Sequence, residues 1–304
     1  MTDLKNIIKT NPFFKATGRT PLIKISDKLY AKLETYNPTG SVKDRMISYV
    51  IDKAIQDQKV GINSRTILCE ATSGNTGIAL SAVAASLGLE CVIFMPCNMS
   101  EERKQMMRVY GSAIVEAPAD DFEGAIRMRD EFLVQHDHAW SPMQFSNPIN
   151  IECHRTRTAP EIHSQVNAMR TPWSVFIHGS GTGGTIEGVR QYVEEKGLVT
   201  KVCMTVPAES PHGIQGIGDG RDFLADPEDM SSVIVIETEH AIQRAEEFAK
   251  STGILVGISS GANLLASERY LENNEVEGVV VTMLCDRGER YMSIYNKHGR
   301  DKSR

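Results

Sequence analysis

Between residues 66 and 140 short apolar runs alternate with longer stretches of helical character, and no other feature constrains the fold as much. The runs over 66–71, 91–95 and 113–116 are too short for helices and predict buried strands. The stretches over 76–86, from about 100, and over 121–133 predict helices, with Ser100 before Glu101 and Glu102 as good cap chemistry. Strands separated by helices of this length pair in parallel through crossovers. A second such block starts near residue 174, with strands predicted over 174–178, 201–206, 233–237 and 278–283. Helices are predicted there over 184–194, 239–251 and from about 260. The blocks join near Pro148, and 304 residues are long for one core. The expectation is an α/β fold of two three-layer lobes with mostly parallel sheets and a cleft between them. A smaller lobe covers 35–147, and a larger one covers 1–34 and 148–304. Ligands in such sheets sit outside the carboxyl ends of the strands.

A formal net charge of −6 argues against nucleic acid or an anionic membrane as partner. The first residues, Met1-Thr-Asp-Leu-Lys-Asn6, lack a signal-peptide core, and no apolar run is long enough to span a bilayer. A cytoplasmic protein is the expectation. None of the six cysteines forms a C-x-x-C pair, so they read as buried small hydrophobes in a reducing compartment, with no metal site.

Three glycine- and hydroxyl-rich segments carry the chemistry. Gly179-Ser-Gly-Thr-Gly-Gly-Thr185 follows a predicted strand and opens a helix. Gly179, Gly181 and Gly184 fit the dinucleotide template, but no acidic residue closes the next strand. Two threonines around two glycines better suit a single phosphate, held by backbone N–H groups and hydroxyls at a helix N-terminus. A plain tight turn is the competing explanation. In Asn37-Pro-Thr-Gly-Ser-Val-Lys-Asp-Arg45, small residues precede Lys43 and apolar Met46, Ile47 and Val50 follow it. The helix start therefore points inward, and a lysine held there could form a Schiff base. Asp44 and Arg45 read as structural, either as a surface pair or with Arg45 tying the helix end. Thr72-Ser-Gly-Asn-Thr-Gly77 offers hydroxyls and free N–H groups at another helix start, which favours an anion such as a carboxylate. Simple capping by Ser73 or Asn75 would need only one of these residues.

Together these segments resemble the fold-type II pyridoxal-phosphate enzymes, whose fold is that of the tryptophan synthase β subunit. The cysteine synthase group (O-acetylserine sulfhydrylase) fits best, with cystathionine β-synthase as a near relative. The resemblance extends to Thr20-Pro-Leu22, Pro96-Cys-Asn-Met-Ser-Glu-Glu-Arg103, Gln144-Phe-Ser-Asn-Pro148, Gly213-Ile-Gln-Gly-Ile-Gly218, Gly257-Ile-Ser-Ser-Gly-Ala262 and Asp286-Arg-Gly-Glu-Arg-Tyr291. It implies pyridoxal 5′-phosphate as cofactor, with Lys43 bonded to its aldehyde and Asn75 at its phenolic oxygen. Gly181, Thr182, Gly183, Gly184 and Thr185 would hold the phosphate, and Ser259 would face the pyridine nitrogen. Thr72, Ser73, Thr76 and Gln144 would take the substrate carboxylate, and Gly216 and Gly218 would line the mouth. A hydroxyl at the pyridine nitrogen, rather than a carboxylate, favours β-elimination over transamination. Ser259 could equally cap a helix.

The activity implied is β-replacement on an activated serine, O-acetylserine or O-phosphoserine, with sulfide to give L-cysteine. Condensation of serine with homocysteine and an amino-acid dehydratase are alternatives. No haem segment or C-terminal regulatory module is evident, which disfavours the full cystathionine enzyme. A non-catalytic module that binds a partner's tail is a further alternative, and intact Lys43, Asn75, Thr185 and Ser259 argue against it. A homodimer and a serine acetyltransferase C-terminal tail are the partners the resemblance implies. His178, Val206 and Gly218-Asp-Gly-Arg-Asp222 depart from the family pattern. Arg221 near the mouth could pair with a phosphate leaving group, although pairing with Asp219 or Asp222 is the plainer expectation.

Overall fold

The computed structural model describes residues 8–61, 65–218 and 224–301. Among them are ten strands: β1 (Leu22–Lys24), β2 (Leu29–Leu33), β3 (Ile67–Ala71), β4 (Glu90–Pro96), β5 (Ala113–Ala117), β6 (Ala139–Trp140), β7 (Trp173–Gly179), β8 (Lys201–Pro207), β9 (Ser232–Ile236) and β10 (Val279–Leu284). They form two sheets, in the orders β5-β4-β3-β6 and β1-β2-β10-β7-β8-β9. The chain divides into a unit of Met1–Thr17 with Asn37–Asn147 and a unit of Gly18–Tyr36 with Pro148–Arg304.

In the first unit all three strand pairs are parallel. The helix Asn75–Leu87 carries apolar or small residues on nearly every face, and ten of its thirteen residues are buried. Such a helix is stable only with neighbours on several sides. It packs against β3, β4 and the helices Lys43–Gln56 and Glu101–Val109. Gly88, at φ +68, ends it in the left-handed conformation that glycine adopts without steric cost. Residues 8–17 join this unit rather than the expected larger lobe, since Asn11 Nδ2 donates to Ser86 O at the end of the same helix (3.0 Å).

In the second unit only β1 and β2 pair antiparallel. All six residues of β10 are buried, the mark of a central parallel strand covered on both faces. The helix Ile258–Asn273 packs on β10, β7 and the helix Thr238–Thr252. Its Ala262, Leu264 and Ala266 join Leu29, Ala31, Val175, Ile177, Val280 and Leu284 in the core.

Three details differ from expectation. Ser100 makes no side-chain capping bond to the helix Glu101–Val109. Cys97 is exposed, while the other five cysteines are buried. The β1–β2 hairpin and its place beside β10 carried no local sequence signal, because β2 pairs with residues about 250 positions away.

Candidate active site

In the first unit Lys43 opens the helix Lys43–Gln56. Its position is set by the residue after it. The Asp44 carboxylate accepts from Thr39 N (2.7 Å) and from Thr39 Oγ1, so the helix start is tied to its own approach loop. Gly40 turns that loop at φ +82. Asp44 and Arg45 are buried (0% and 4% exposed), which removes the surface-pair alternative. Met46, Ile47 and Val50 are buried as predicted. Lys43 itself is half-buried, and its amine has no hydrogen bond or ion pair among the described residues. Ser41 Oγ, two residues earlier, is buried without a partner.

The 72–77 turn follows β3 and leads into the helix Asn75–Leu87. Gly74 stands at the N-cap position, so neither Ser73 nor Asn75 occupies it. Thr72 Oγ1 accepts from Gly74 N (3.1 Å). Thr76 and Gln144 come together: Thr76 Oγ1 donates to Gln144 Oε1 (2.6 Å), and Gln144 Nε2 donates to Ala71 O (3.3 Å). Ser73 is half-buried on the turn, and Thr72 is buried.

Below the turn lie two cations that the sequence did not announce as functional. Arg103 is buried, and its Nη1 donates to Ser73 O (3.2 Å). It packs so tightly that a Cβ on Gly74 would lie 2.5 Å from Arg103 Cδ. Arg129 Nη1 donates to Glu70 Oε1 (2.9 Å), one residue inside the end of β3. Burial pushes the Glu70 carboxyl above its ordinary range, and Arg129 with the N–H groups of Gln144 and Ala71 pulls it back down. Arg103 could have been suspected from the motif at 96–103; Arg129 sits in a helix whose pattern reads as surface.

In the second unit β7 ends at Gly179 and the helix Gly184–Glu195 begins five residues later. Gly183 is the N-cap, at φ +86, and the first helical N–H, that of Gly184, donates to Thr182 Oγ1 (3.4 Å). A Cβ on Gly181 would strike Gly216 O, and one on Gly183 would lie 2.5 Å from Ala225 N. Gly218 N donates to Ser180 O and Leu224 N to Thr182 O (both 2.8 Å). The two threonines are held from behind. Asn150 Nδ2 donates to Thr182 Oγ1 (3.0 Å), and His154 Nε2 meets Thr185 Oγ1 at 3.2 Å. His154 begins a π-helical turn, His154–Thr158, a form found often at functional sites. Asn150, in the helix Pro148–Cys153, and His154, in the π turn, carried no signal of their own, since their contacts with Thr182 and Thr185 join residues about 30 positions apart.

Ser259 is the second residue of the helix Ile258–Asn273, capped by Gly257, so it is not the helix cap. Its Oγ would lie 3.9 Å from a Cβ placed on Gly216, which brings Ser259, Gly216 and Gly181 into one region. Asn263, one turn further, ties two strand ends together. Its Oδ1 accepts from Gly179 N (2.8 Å), and its Nδ2 donates to Met283 O (2.9 Å). Arg221, Asp219 and Asp222 lie outside the described residues, and with them the idea of an arginine at the leaving group.

These surroundings fit pyridoxal phosphate. Its aldehyde needs an amine, and in the first unit the Lys43 amine has no hydrogen bond or ion pair among the described residues. Its phosphate needs open backbone N–H groups and hydroxyls. The 180–185 loop offers a helix N-terminus, glycines that leave no room for a Cβ, and Ser180 Oγ, buried without a partner among the described residues. The nearby thiols are not competing nucleophiles: burial pushes Cys69 up to about 12 and Cys91 up to about 11. No group of three or more metal-ligating side chains occurs among the described residues, and none of their helices is long and apolar enough to cross a membrane.

Residues 13–286 match the family of pyridoxal-phosphate dependent enzymes. The chain is 38% identical over 290 residues to cysteine synthase B of Campylobacter jejuni, covering 91% of this chain and 95% of that protein. Among solved structures it resembles a hydrogen sulfide-producing enzyme from Fusobacterium nucleatum (TM-score 0.87, 33% identity, 96% of this chain and 91% of that one). It also resembles an O-acetylserine dependent cystathionine β-synthase from Helicobacter pylori (TM-score 0.84, 31% identity, 96% and 97%). The fold is thus that of the fold-type II pyridoxal-phosphate enzymes. The chain belongs to the pyridoxal-phosphate dependent enzyme family and is an enzyme that uses this cofactor.

Proposed function

We propose that the protein catalyses β-replacement on an activated serine, O-acetylserine or O-phosphoserine, with sulfide as nucleophile and L-cysteine as product. The observation that carries this is the 72–77 turn. A helix start, ringed by the hydroxyls of Thr72 and Ser73 and by the amide of Gln144, is built for a carboxylate, and the unit that holds it also holds the free amine of Lys43. Similarity to cysteine synthase B supports the reaction class.

In this proposal pyridoxal phosphate would be held by Lys43 at its aldehyde, by the 181–185 loop with Ser180 at its phosphate, by Asn75 at its phenolic oxygen and by Ser259 at its pyridine nitrogen. When bound, pyridoxal phosphate supplies the electron sink that makes the amino-acid α-proton acidic. Thr72, Ser73 and Gln144 orient the substrate by its carboxylate. Lys43 Nζ would take the α-proton as general base. Ser259 offers a neutral hydroxyl rather than a carboxylate, which discourages the pyridine nitrogen from holding a proton and so favours departure of the β-substituent. Gly216 and Gly218 leave the approach to this region free of side chains.

Homocysteine is the second nucleophile to test, because the Helicobacter pylori neighbour is a cystathionine β-synthase that depends on O-acetylserine. The deciding experiment is Lys43→Ala, assayed with O-acetylserine or O-phosphoserine and with sulfide or homocysteine. Turnover is expected to vanish along with the visible absorbance of the lysine-bound cofactor. Retention of both in the variant overturns the assignment of Lys43, and product formed by the native protein only with homocysteine overturns sulfide as the nucleophile.

A further inference from the structure

Glu70 and Arg129 lie in no segment to which the proposed chemistry has been assigned, yet they hold one that does. Glu70 is fully buried on β3, and the Arg129 side chain, from the helix Phe122–Gln135, is 8% exposed. Oε1 of Glu70 accepts from Arg129 Nη1 and from Ala71 N (both 2.9 Å), and Oε2 accepts from Gln144 N (3.1 Å). Every partner of both oxygens is a donor, the pattern of an ionised carboxylate. An apolar residue on this strand would avoid the desolvation cost of a buried ion pair. The pair is therefore expected to do something an apolar residue could not.

What it holds is an irregular segment whose own bonds gather around Met143, from Ser146 N and Asn147 N to Met143 O (3.0 and 2.9 Å), and do not include the Gln144 N–H. Residues 141–147 form neither helix nor strand, and Met143 sits at φ +54, a conformation that side-chain-bearing residues rarely adopt. Glu70 fixes the main chain of this segment at Gln144. Ala71 O and Thr76 Oγ1 then fix both ends of the Gln144 side chain. Glu70 also takes the N–H of Ala71, at the threshold of the 72–77 turn. One carboxylate thus ties together the turn and the glutamine that face the same ligand.

We propose that Glu70, paired with Arg129, is a positioning residue that sets Gln144 against the 72–77 turn for capture of the amino-acid carboxylate; this rests on the carboxylate assignment made above for that turn. A glutamine at position 70 would present an N–H to a site where only acceptors fit. A lysine at position 129 keeps the charge but loses the planar donor fork that bridges Glu70 and Asp130.

The test compares Glu70→Gln, Arg129→Lys and Ser73→Ala in the holoenzyme. Glu70→Gln is expected to raise KM for O-acetylserine about tenfold and Arg129→Lys about threefold, with kcat much less affected. KM for sulfide and the cofactor content should stay unchanged. Calorimetric affinity for L-alanine, which has the carboxylate and amine but no leaving group, should fall in parallel. If Glu70→Gln does not fold, Arg129→Lys decides. Equal loss of kcat towards both substrates with donor KM unchanged would mark a merely structural role and overturn the proposal. If Ser73→Ala raises donor KM but neither of the other variants does, the proposal falls while the carboxylate assignment stands. If no variant raises it, that assignment falls and takes the proposal with it.

Discussion

Gly183 and Gly197 share a left-handed backbone, at φ +86 and +61, and differ in everything around it. Beside Gly197 a Cβ would meet nothing within 4 Å, whereas beside Gly183 it would lie 2.5 Å from Ala225 N and 2.9 Å from Leu224 backbone atoms. Gly197→Ala therefore isolates the cost of the conformation, about 1 kcal/mol in urea unfolding, with activity unchanged. Gly183→Ala adds a clash with main chain that cannot rotate away, and it displaces the N-cap of the proposed phosphate helix. We expect it to weaken pyridoxal phosphate binding at least about tenfold in a fluorescence titration, since about 1.4 kcal/mol of distortion suffices for that. Asp44 separates structural from chemical roles in the same way. Asp44→Ala leaves the Thr39 N–H and hydroxyl without this acceptor in a buried loop and should cost about 3 kcal/mol of stability. The cofactor absorbance should persist in that variant, because Lys43 itself is intact; its loss at full thermal stability would show that Asp44 belongs to the chemistry.

At the scale of elements, what could be read from the sequence was what local pattern determines. The strand–helix alternation over 66–140 placed β3, β4, β5 and the helices between them within about two residues, because buried parallel strands have a simple apolar pattern. The 72–77 and 179–185 turns stood out because a side-chain-free, hydroxyl-rich helix start has few structural uses. Elements fixed by distant partners were not legible. β2 is a short strand whose neighbour in the sheet, β10, is the last strand in the chain. The support behind the phosphate loop is likewise tertiary: Asn150 looks like any polar residue near a helix start until its contact with Thr182 is seen. That contact yields a measurable expectation. A hydrogen bond of this kind contributes about 1 kcal/mol, so Asn150→Ala should weaken cofactor affinity about fivefold by equilibrium dialysis. An unchanged affinity would mean that Thr182 needs no orientation from behind.

For the whole molecule, the buried Glu70–Arg129 pair links global stability to pH, and the sign follows from its surroundings. Burial raises the Glu70 pKa in the folded state, and Arg129 opposes that rise. An acid whose folded pKa exceeds its unfolded value binds more protons when folded, so folding weakens as pH rises from the unfolded pKa through the folded one. In the native protein Arg129 opposes the widening of that window. Arg129→Met removes the opposing charge and leaves burial to act with only the two backbone N–H groups against it. The folded pKa of Glu70 then climbs, and each unit of climb costs about 1.4 kcal/mol of stability at pH values above it. Breaking a buried pair on one side costs about 3–5 kcal/mol in total, most of it from the charge left behind. The variant should therefore melt well below the native protein at pH 8, and the gap in Tm should shrink as pH falls and Glu70 takes up a proton. The double variant Arg129→Met with Glu70→Leu carries no stranded charge and should show a gap that no longer varies with pH. A gap of constant width in the single variant would mean that Glu70 keeps its charge without Arg129, and that the strand end is held by the backbone N–H groups alone.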